Sequence, residues 1–191
     1  MIIESIITTL NADGTAHIAP MGVTWRDGTP ILAPFRPSIT LENLTRADRA
    51  VINHTDDVRI FAGCLTGRPN WPVRPAETIA CAVLEAALSH EELVVDRVEQ
   101  DELRPRFFGR IVHRVTHAPF AGFNRAQAAV IEAAILVSRL HMLPPEKIER
   151  EIAYLNIAIE KTAGPRELQA WNWLIERIAA FRSGSEGKAA S

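Results

Sequence analysis

The chain is poor in cysteine and tyrosine, short of basic charge, and lacks long apolar runs. Two cysteines, Cys64 and Cys81, among 191 residues cannot form a disulfide framework and fit no metal-ligand spacing. They read as small buried hydrophobes of a reducing compartment, which makes a cytoplasmic protein the expectation. Lys and Arg number 21 against 23 Asp and Glu, a net charge of −2, so no large nucleic-acid footprint is expected. No uninterrupted apolar span is long enough for a bilayer. The opening MIIESIITTLN has no basic head and carries Glu4 inside its apolar run, unlike a signal peptide. Neither G-x-S-x-G, nor a P-loop, nor G-x-G-x-x-G occurs. His113 and His117 stand four apart, but no third ligand accompanies them, and they read as surface or cross-strand histidines rather than a metal site.

What is present is an ordinary globular composition, 47% hydrophobic and 23% charged, long enough for one full core or a domain with an appendage. The first two thirds read as β structure. Glu4 to Leu10 is apolar and β-branched, Asn11 to Gly14 is a hairpin turn, and Ala16 to Trp25 is the return strand. Asp27-Gly28 turns into a third strand, Pro30 to Phe35. A short helix follows, then strands at Ala50 to Asn53 and Arg59 to Ala62. Three prolines in Thr66 to Pro75 predict an irregular loop, in which Trp71 either anchors the loop or stacks on a ligand. Cys81 to Leu88, Glu92 to Gln100 and Phe107 to His117 have strand-like content. Short antiparallel strands joined by tight turns, with one inserted helix, indicate a β-barrel rather than a doubly wound sheet.

Past Pro119 the pattern becomes helical. Arg125 to His141, Glu146 to Thr162 and Arg166 to about Phe181 each repeat apolar residues at steps of three and four. Pro144-Pro145 and Gly164-Pro165 separate them, Gly suiting a helix end and Pro a first turn. The expected organisation is a barrel domain over 1–120, a three-helix extension over 121–182 and a disordered tail over 183–191. The fold class is therefore α+β. Glu132 and Arg139 on the first of these helices, with Asn124 and Arg125 before it, either close over a ligand or, the reading preferred, form ion pairs along or between helices.

Two stretches carry candidate chemistry. In PFRPSITLENLTRADRAVIN, Pro34 to Asn53, two prolines flank Arg36, and Ser38 and Thr40 stand where a helix begins. A hydroxyl there either caps the helix or, with the free N–H groups and the positive end of the dipole, holds a phosphate. In HIAPMGV, His17 to Val23, Pro20 cannot donate to a ladder, and Gly22 admits a backbone or a flat ligand. Either the strand bulges to close a barrel corner or its unpaired edge reads a heterocycle. Asn43 and Asn53 sit at element borders, as local caps or ligand contacts.

Together, TTLNADGTAHIAPMGV, RPSITLENL, VIN and GFNRAQAAVIEAAILVSRL resemble a family of small bacterial and archaeal proteins known only as a domain of unknown function. It lies within the FMN-binding split-barrel superfamily, beside flavin reductases and pyridoxamine-phosphate-oxidase-like proteins. The resemblance runs from Glu4 to about Phe181. It implies an antiparallel split β-barrel with appended C-terminal helices, and a homodimer holding FMN near the subunit interface. By the same resemblance, Arg36, Ser38 and Thr40 match phosphate-side positions and Asn43 and Asn53 match polar contacts. Pro20, Met21, Gly22 and Val23, on the strand that starts at His17, match the ring side. Members are associated with tetrahydromethanopterin-linked one-carbon metabolism, without an established reaction. The implied function is an FMN-dependent oxidoreductase acting on a small molecule, with no catalytic side chain assigned. The alternatives are a flavin- or pterin-binding carrier without turnover and a structural dimerisation module.

Overall fold

The structure is a computed structural model that describes the backbone of residues 1–189 and side chains through 184. The chain divides into two compact units, Met1–Asp56 with Asn70–Phe120, and Asp57–Pro69 with the chain from Ala121 onward.

The first unit is a closed antiparallel barrel. Its strands are β1 (Ile2–Leu10), β2 (Ala16–Arg26), β3 (Thr29–Leu32), β4 (Arg49–His54), β7 (Ser89–Glu99) and β8 (Arg106–Thr116), in the order β1-β2-β3-β8-β7-β4. The Asn11–Gly14 turn forms as expected: Gly14 takes a positive φ and its N–H bonds to Asn11 O. A residue with a side chain is disfavoured in that conformation. Ile7, Val23, Leu32, Leu44, Ile52, Leu93 and Phe107 fill the barrel. The inserted helix α1 (Ile39–Ala47) adds Leu41 and Leu44 to this core. A two-stranded ribbon, β5 (Val73–Pro75) and β6 (Ala82–Leu84), completes the unit. The Pro-rich loop therefore ends in a short strand, and the strand expected over Cys81 to Leu88 shrinks to three residues.

The second unit is helical. It holds α2 (Arg59–Leu65), α3 (Arg125–Ser138), α4 (Pro145–Thr162) and α5 (Pro165–Ala189). Val130, Ala134, Ile148, Ile159, Trp171 and Leu174 form its core. Asn124 is the N-cap of α3, its Oδ1 accepting from Ala126 N at 2.8 Å while its Nδ2 donates to Thr162 O. Proline opens α4 and α5, as the sequence indicates.

The helix α2 corrects one expectation, since Arg59 to Ala62 reads as a strand. Four apolar-rich residues have no period long enough to separate strand from helix. Asp57 decides it, accepting from Arg59 N through Oδ1 and from Ile60 N through its carbonyl. The tail differs as well: α5 continues through Ala189, so the stretch expected to be disordered is helical over 183–189, and 190–191 lie outside the described residues. Among the described residues no helix is long and apolar enough to cross a membrane. Both cysteines are free thiols, and burial pushes each up to about 11.

Candidate functional site

The strand β2 pairs with β1 from Leu10↔Ala16 to Ile2↔Thr24. On its other side β3 meets only Thr24, Trp25 and Arg26. Ala19 to Val23 therefore have a strand neighbour on the β1 side alone, and every second residue turns backbone groups toward the open side. This stretch without a β3 partner coincides with the proline and glycine of HIAPMGV.

Side chains along this strand divide between two faces. Val23 is fully buried in the barrel core, and Met21 packs against that core, so neither side chain faces outward. Gly22 faces the other way, across from Glu4. A Cβ placed on it would stand 2.9 Å from Ile2 Cγ2 and 3.1 Å from Glu4 Oε1. Pro20 pairs with Ile6 in the unbroken β1–β2 register, so no bulge interrupts this stretch.

His17 connects the open strand to α1. Its Nε2 is 3.1 Å from Thr40 Oγ1, and burial pushes its pKa below the ordinary histidine value. Ser38 is the N-cap: its Oγ accepts from Leu41 N at 3.2 Å, and its carbonyl accepts from Glu42 N. The N–H groups of Ile39 and Thr40, the remaining first-turn donors, take no partner among the described residues. They stand beside the Thr40 hydroxyl, where an anion is favoured by the helix dipole. Arg36 is exposed just upstream, and its N–H bonds to Leu103 O. Thus His17, Ser38 and Thr40 come together, Arg36 stands at the same turn, and Ala19 to Gly22 form the adjoining edge.

The two asparagines are placed differently. Asn43 is buried, its Nδ2 donating to Thr9 Oγ1 and Asn11 Oδ1, each at 3.0 Å, while Arg46 donates to its Oδ1. It fixes α1 to the β1–β2 hairpin. Asn53 is fully buried; its Nδ2 donates to Ile6 O at 3.0 Å and Thr8 Oγ1 at 3.2 Å, and its Oδ1 accepts from Leu84 N at 2.9 Å. With both ends of its amide occupied, Asn53 joins β4, β1 and β6.

Other polar groups converge elsewhere on the barrel. Ser5, His54 and Glu91 line up at 3.4 and 3.6 Å, an order resembling a hydrolytic triad. Ser5 is buried, however, and its hydroxyl donates to Ile3 O, so it is closed to a substrate. A cavity of about 680 Å³ is lined by Arg26, Arg97, Arg110 and Arg114 over Ile31 and Phe108. Three of these arginines are tied to carboxylates, Glu99, Asp96 and Glu91, which leaves Arg26 as its unpaired cation among the described residues. His90, His113 and His117 gather near Glu77 and Glu92. Among the described residues no group of three or more His, Cys, Asp or Glu is arranged to hold a metal ion. His90 and Glu92 carry no sequence motif; only the register Glu92↔His113 brings them to this cluster.

Comparison with known proteins adds a family and a fold. Residues 3–118 match the model described as the N-terminal domain of a protein of unknown function (DUF447). Residues 124–176 match the second DUF447 model, also a protein of unknown function. An FMN-bound DUF447 protein from Methanosarcina mazei superposes with a TM-score of 0.81 at 19% identity, over 92% of this chain and 94% of that one. An FMN-binding protein from Thermus thermophilus with bound 1-cyclohex-2-enone gives 0.52 at 16% identity, over 60% of this chain and 70% of that one. The 2-nitrobenzoate 2-nitroreductase of Pseudomonas fluorescens gives 0.51 at 20% identity, over 60% and 64%. These likenesses establish the split-barrel fold, and the first extends it to the C-terminal helices.

Proposed function

The chain belongs to the DUF447 family, and we propose that it is an FMN-binding flavoprotein acting as an oxidoreductase on a small molecule. One observation carries the reading: the open edge of β2 adjoins the first turn of α1 through the His17–Thr40 hydrogen bond. That pairs a row of backbone groups, suited to the polar rim of a flat heterocycle, with an anion-binding turn. FMN presents those two chemistries, a ring and a phosphate. The FMN in the Methanosarcina mazei protein of the same family supports the assignment.

In this reading the phosphate is held by the N–H groups of Ile39 and Thr40, the Thr40 hydroxyl and His17, with Arg36 adding a charge-assisted bond. Ser38 acts as the cap that keeps this turn in shape. The ring lies along Ala19 to Gly22, where Gly22 removes the side chain that would keep it at a distance. Met21 and Val23 back the strand from inside the barrel. Asn43 and Asn53 act as structural bolts behind the site.

Bound FMN would supply the electron transfer. The chain's part is to position the ring, hydrogen-bond its edge and keep water from it. Phe35, Ile39 and Leu103 are exposed beside the phosphate turn, and burying them against a second copy would close the site as a homodimer. A cytoplasmic location and a place in tetrahydromethanopterin-linked one-carbon metabolism belong to the same reading. A flavin or pterin carrier without turnover is the second reading, favoured by the lack of any ionisable side chain on Ala19 to Val23.

Purified protein should be yellow or take up FMN stoichiometrically, and should sediment as a dimer at micromolar concentration. Failure to bind FMN would overturn the proposal. Anaerobic reduction of the loaded protein by NADH or NADPH, with reoxidation by a candidate acceptor, separates the oxidoreductase from the carrier.

A further inference from the structure

The histidine cluster at the β7–β8 edge contains one nitrogen that two donors approach. Arg74, on β5, has its Nη2 3.0 Å from His117 Nε2. His90 Nδ1 is 2.8 Å from the same atom, the two rings lying 8° from parallel. A guanidinium can only donate, so His117 Nε2 must be the acceptor. His117 is then neutral with its proton on Nδ1, and the proton between the two rings belongs to His90 Nδ1. The geometry thereby fixes both tautomers.

A proton added at His117 Nε2 would occupy the only lone pair that holds Arg74 and would set a positive charge against the guanidinium. We propose that His117 and Arg74 form an acid-released latch on the segment Asn70–Arg74, which carries Trp71.

The groups around the latch respond differently to acid. Glu92, buried on β7, accepts from Glu77 N at 2.6 Å, Thr78 N at 2.8 Å and Ile79 N at 3.0 Å, and from Thr78 Oγ1. It pins the turn after β5. Glu77 Oε2 lies 3.0 Å from His113 Nε2, a contact that protonation of His113 strengthens. His90 Nε2 is buried without a hydrogen-bond partner, 3.5 Å from Glu92 Oε1, so a proton there would be drawn toward the carboxylate. Burial, with His117 and Arg74 nearby, nevertheless keeps the His90 pKa below its ordinary value. On the opposite face, Glu91 engages His54 and Arg114 and does not enter the cluster. Of these groups, His117 is the one whose protonation breaks a tie to β5. The turn at Glu77–Ile79 stays fixed and serves as the hinge.

The test is amide hydrogen exchange at Trp71, Val73 and Arg74 in the full-length protein across pH 8 to 5, corrected for the intrinsic rate. If one proton is taken up per opening, the opening constant should rise by up to about tenfold per pH unit over the range in which the opened ring binds a proton and the latched ring does not. Amides of Thr78 and Ile79 should show no such rise. His117→Gln keeps an acceptor for Arg74 but cannot titrate, so it should flatten the profile. A flat profile in the wild type, or an unchanged slope in His117→Gln, overturns the latch. Should that variant not fold, side-chain NMR of the wild type decides: the Arg74 Nε–H signal must move together with the His117 ring signals as the pH is lowered. Independent movement of the two also overturns it.

Discussion

The hydrogen bond between His17 Nε2 and Thr40 Oγ1, 3.1 Å long, ties the open strand of the barrel to the first turn of α1. The two residues are 23 positions apart, yet they bring an unpaired strand edge and a helix N-terminus to one place. It makes each residue a probe of the other's role.

Thr40→Val removes the hydroxyl and nearly preserves shape. Loss of one hydrogen bond to a charged group costs about 1.5–3 kcal/mol, so FMN should bind roughly ten- to hundredfold more weakly. Riboflavin, lacking the phosphate, should bind both proteins alike. Titrating both flavins into both proteins closes a thermodynamic cycle. An equal loss for riboflavin and FMN would make Thr40 a purely structural residue.

His17 makes FMN binding depend on pH. In the free protein burial pushes its pKa below the ordinary histidine value and so disfavours the imidazolium. A dianion beside it favours the imidazolium, and binding then takes up a proton. FMN affinity should therefore increase as pH falls from 8 toward 6, and His17→Gln should remove most of that increase. Calorimetry in buffers of different ionisation enthalpy measures the proton uptake directly.

Gly22 is tested with a methyl group. The Cβ of Gly22→Ala would approach Ile2 Cγ2 to 2.9 Å, but Ile2 is exposed and its side chain can turn away. The variant should fold with a stability loss of about 1 kcal/mol, while FMN affinity drops at least tenfold. Unchanged affinity in a folded protein would remove Gly22 from the ring side.

Asn53→Leu should separate scaffold from site. It strands Leu84 N and abolishes the donors to Ile6 O and Thr8 Oγ1 inside a sealed region. A destabilisation of about 2–4 kcal/mol is expected by denaturant unfolding. FMN affinity of the folded protein should stay within about twofold, a difference worth roughly 0.4 kcal/mol.

Glu92 sets an acid limit. Burial pushes its carboxyl up, but the Thr78 hydroxyl and the amides of Glu77 and Thr78 outweigh that and bring it from 4.5 down to about 2. A depressed carboxylate stabilises the fold fully above its unfolded pKa and loses that contribution as pH falls through the folded value. The loss should therefore fall between about pH 4.5 and 2 and amount to on the order of 3 kcal/mol. Glu92→Gln should be less stable at pH 7 and lack this component of the acid transition, as urea unfolding at a series of pH values would record.

Features governed by neighbours a few residues away were legible in the sequence. The Asn11–Gly14 hairpin, the start of α4 at Pro145 and the apolar repeat along Glu146 to Thr162 depend on local backbone preference and on the period of apolar side chains. The resemblance carried by HIAPMGV and FNRAQAAVIEA named the split-barrel class, which the superpositions match. Tertiary structure decided what depends on register and on unpaired edges. One local feature escaped the sequence pattern, the helical Arg59–Ala62 run whose first N–H groups Asp57 takes, because four residues show no period. Asn53 became a bolt because β6 arrives with Leu84 N. Val23 and Gly22 are adjacent in sequence, but the pleat turns one into the core and the other outward. Thr40 meets His17, Arg74 meets His117 and Glu92 meets Thr78 only after the strands have paired. No local period encodes such meetings, because each is set by the closure of the barrel that brings distant segments together.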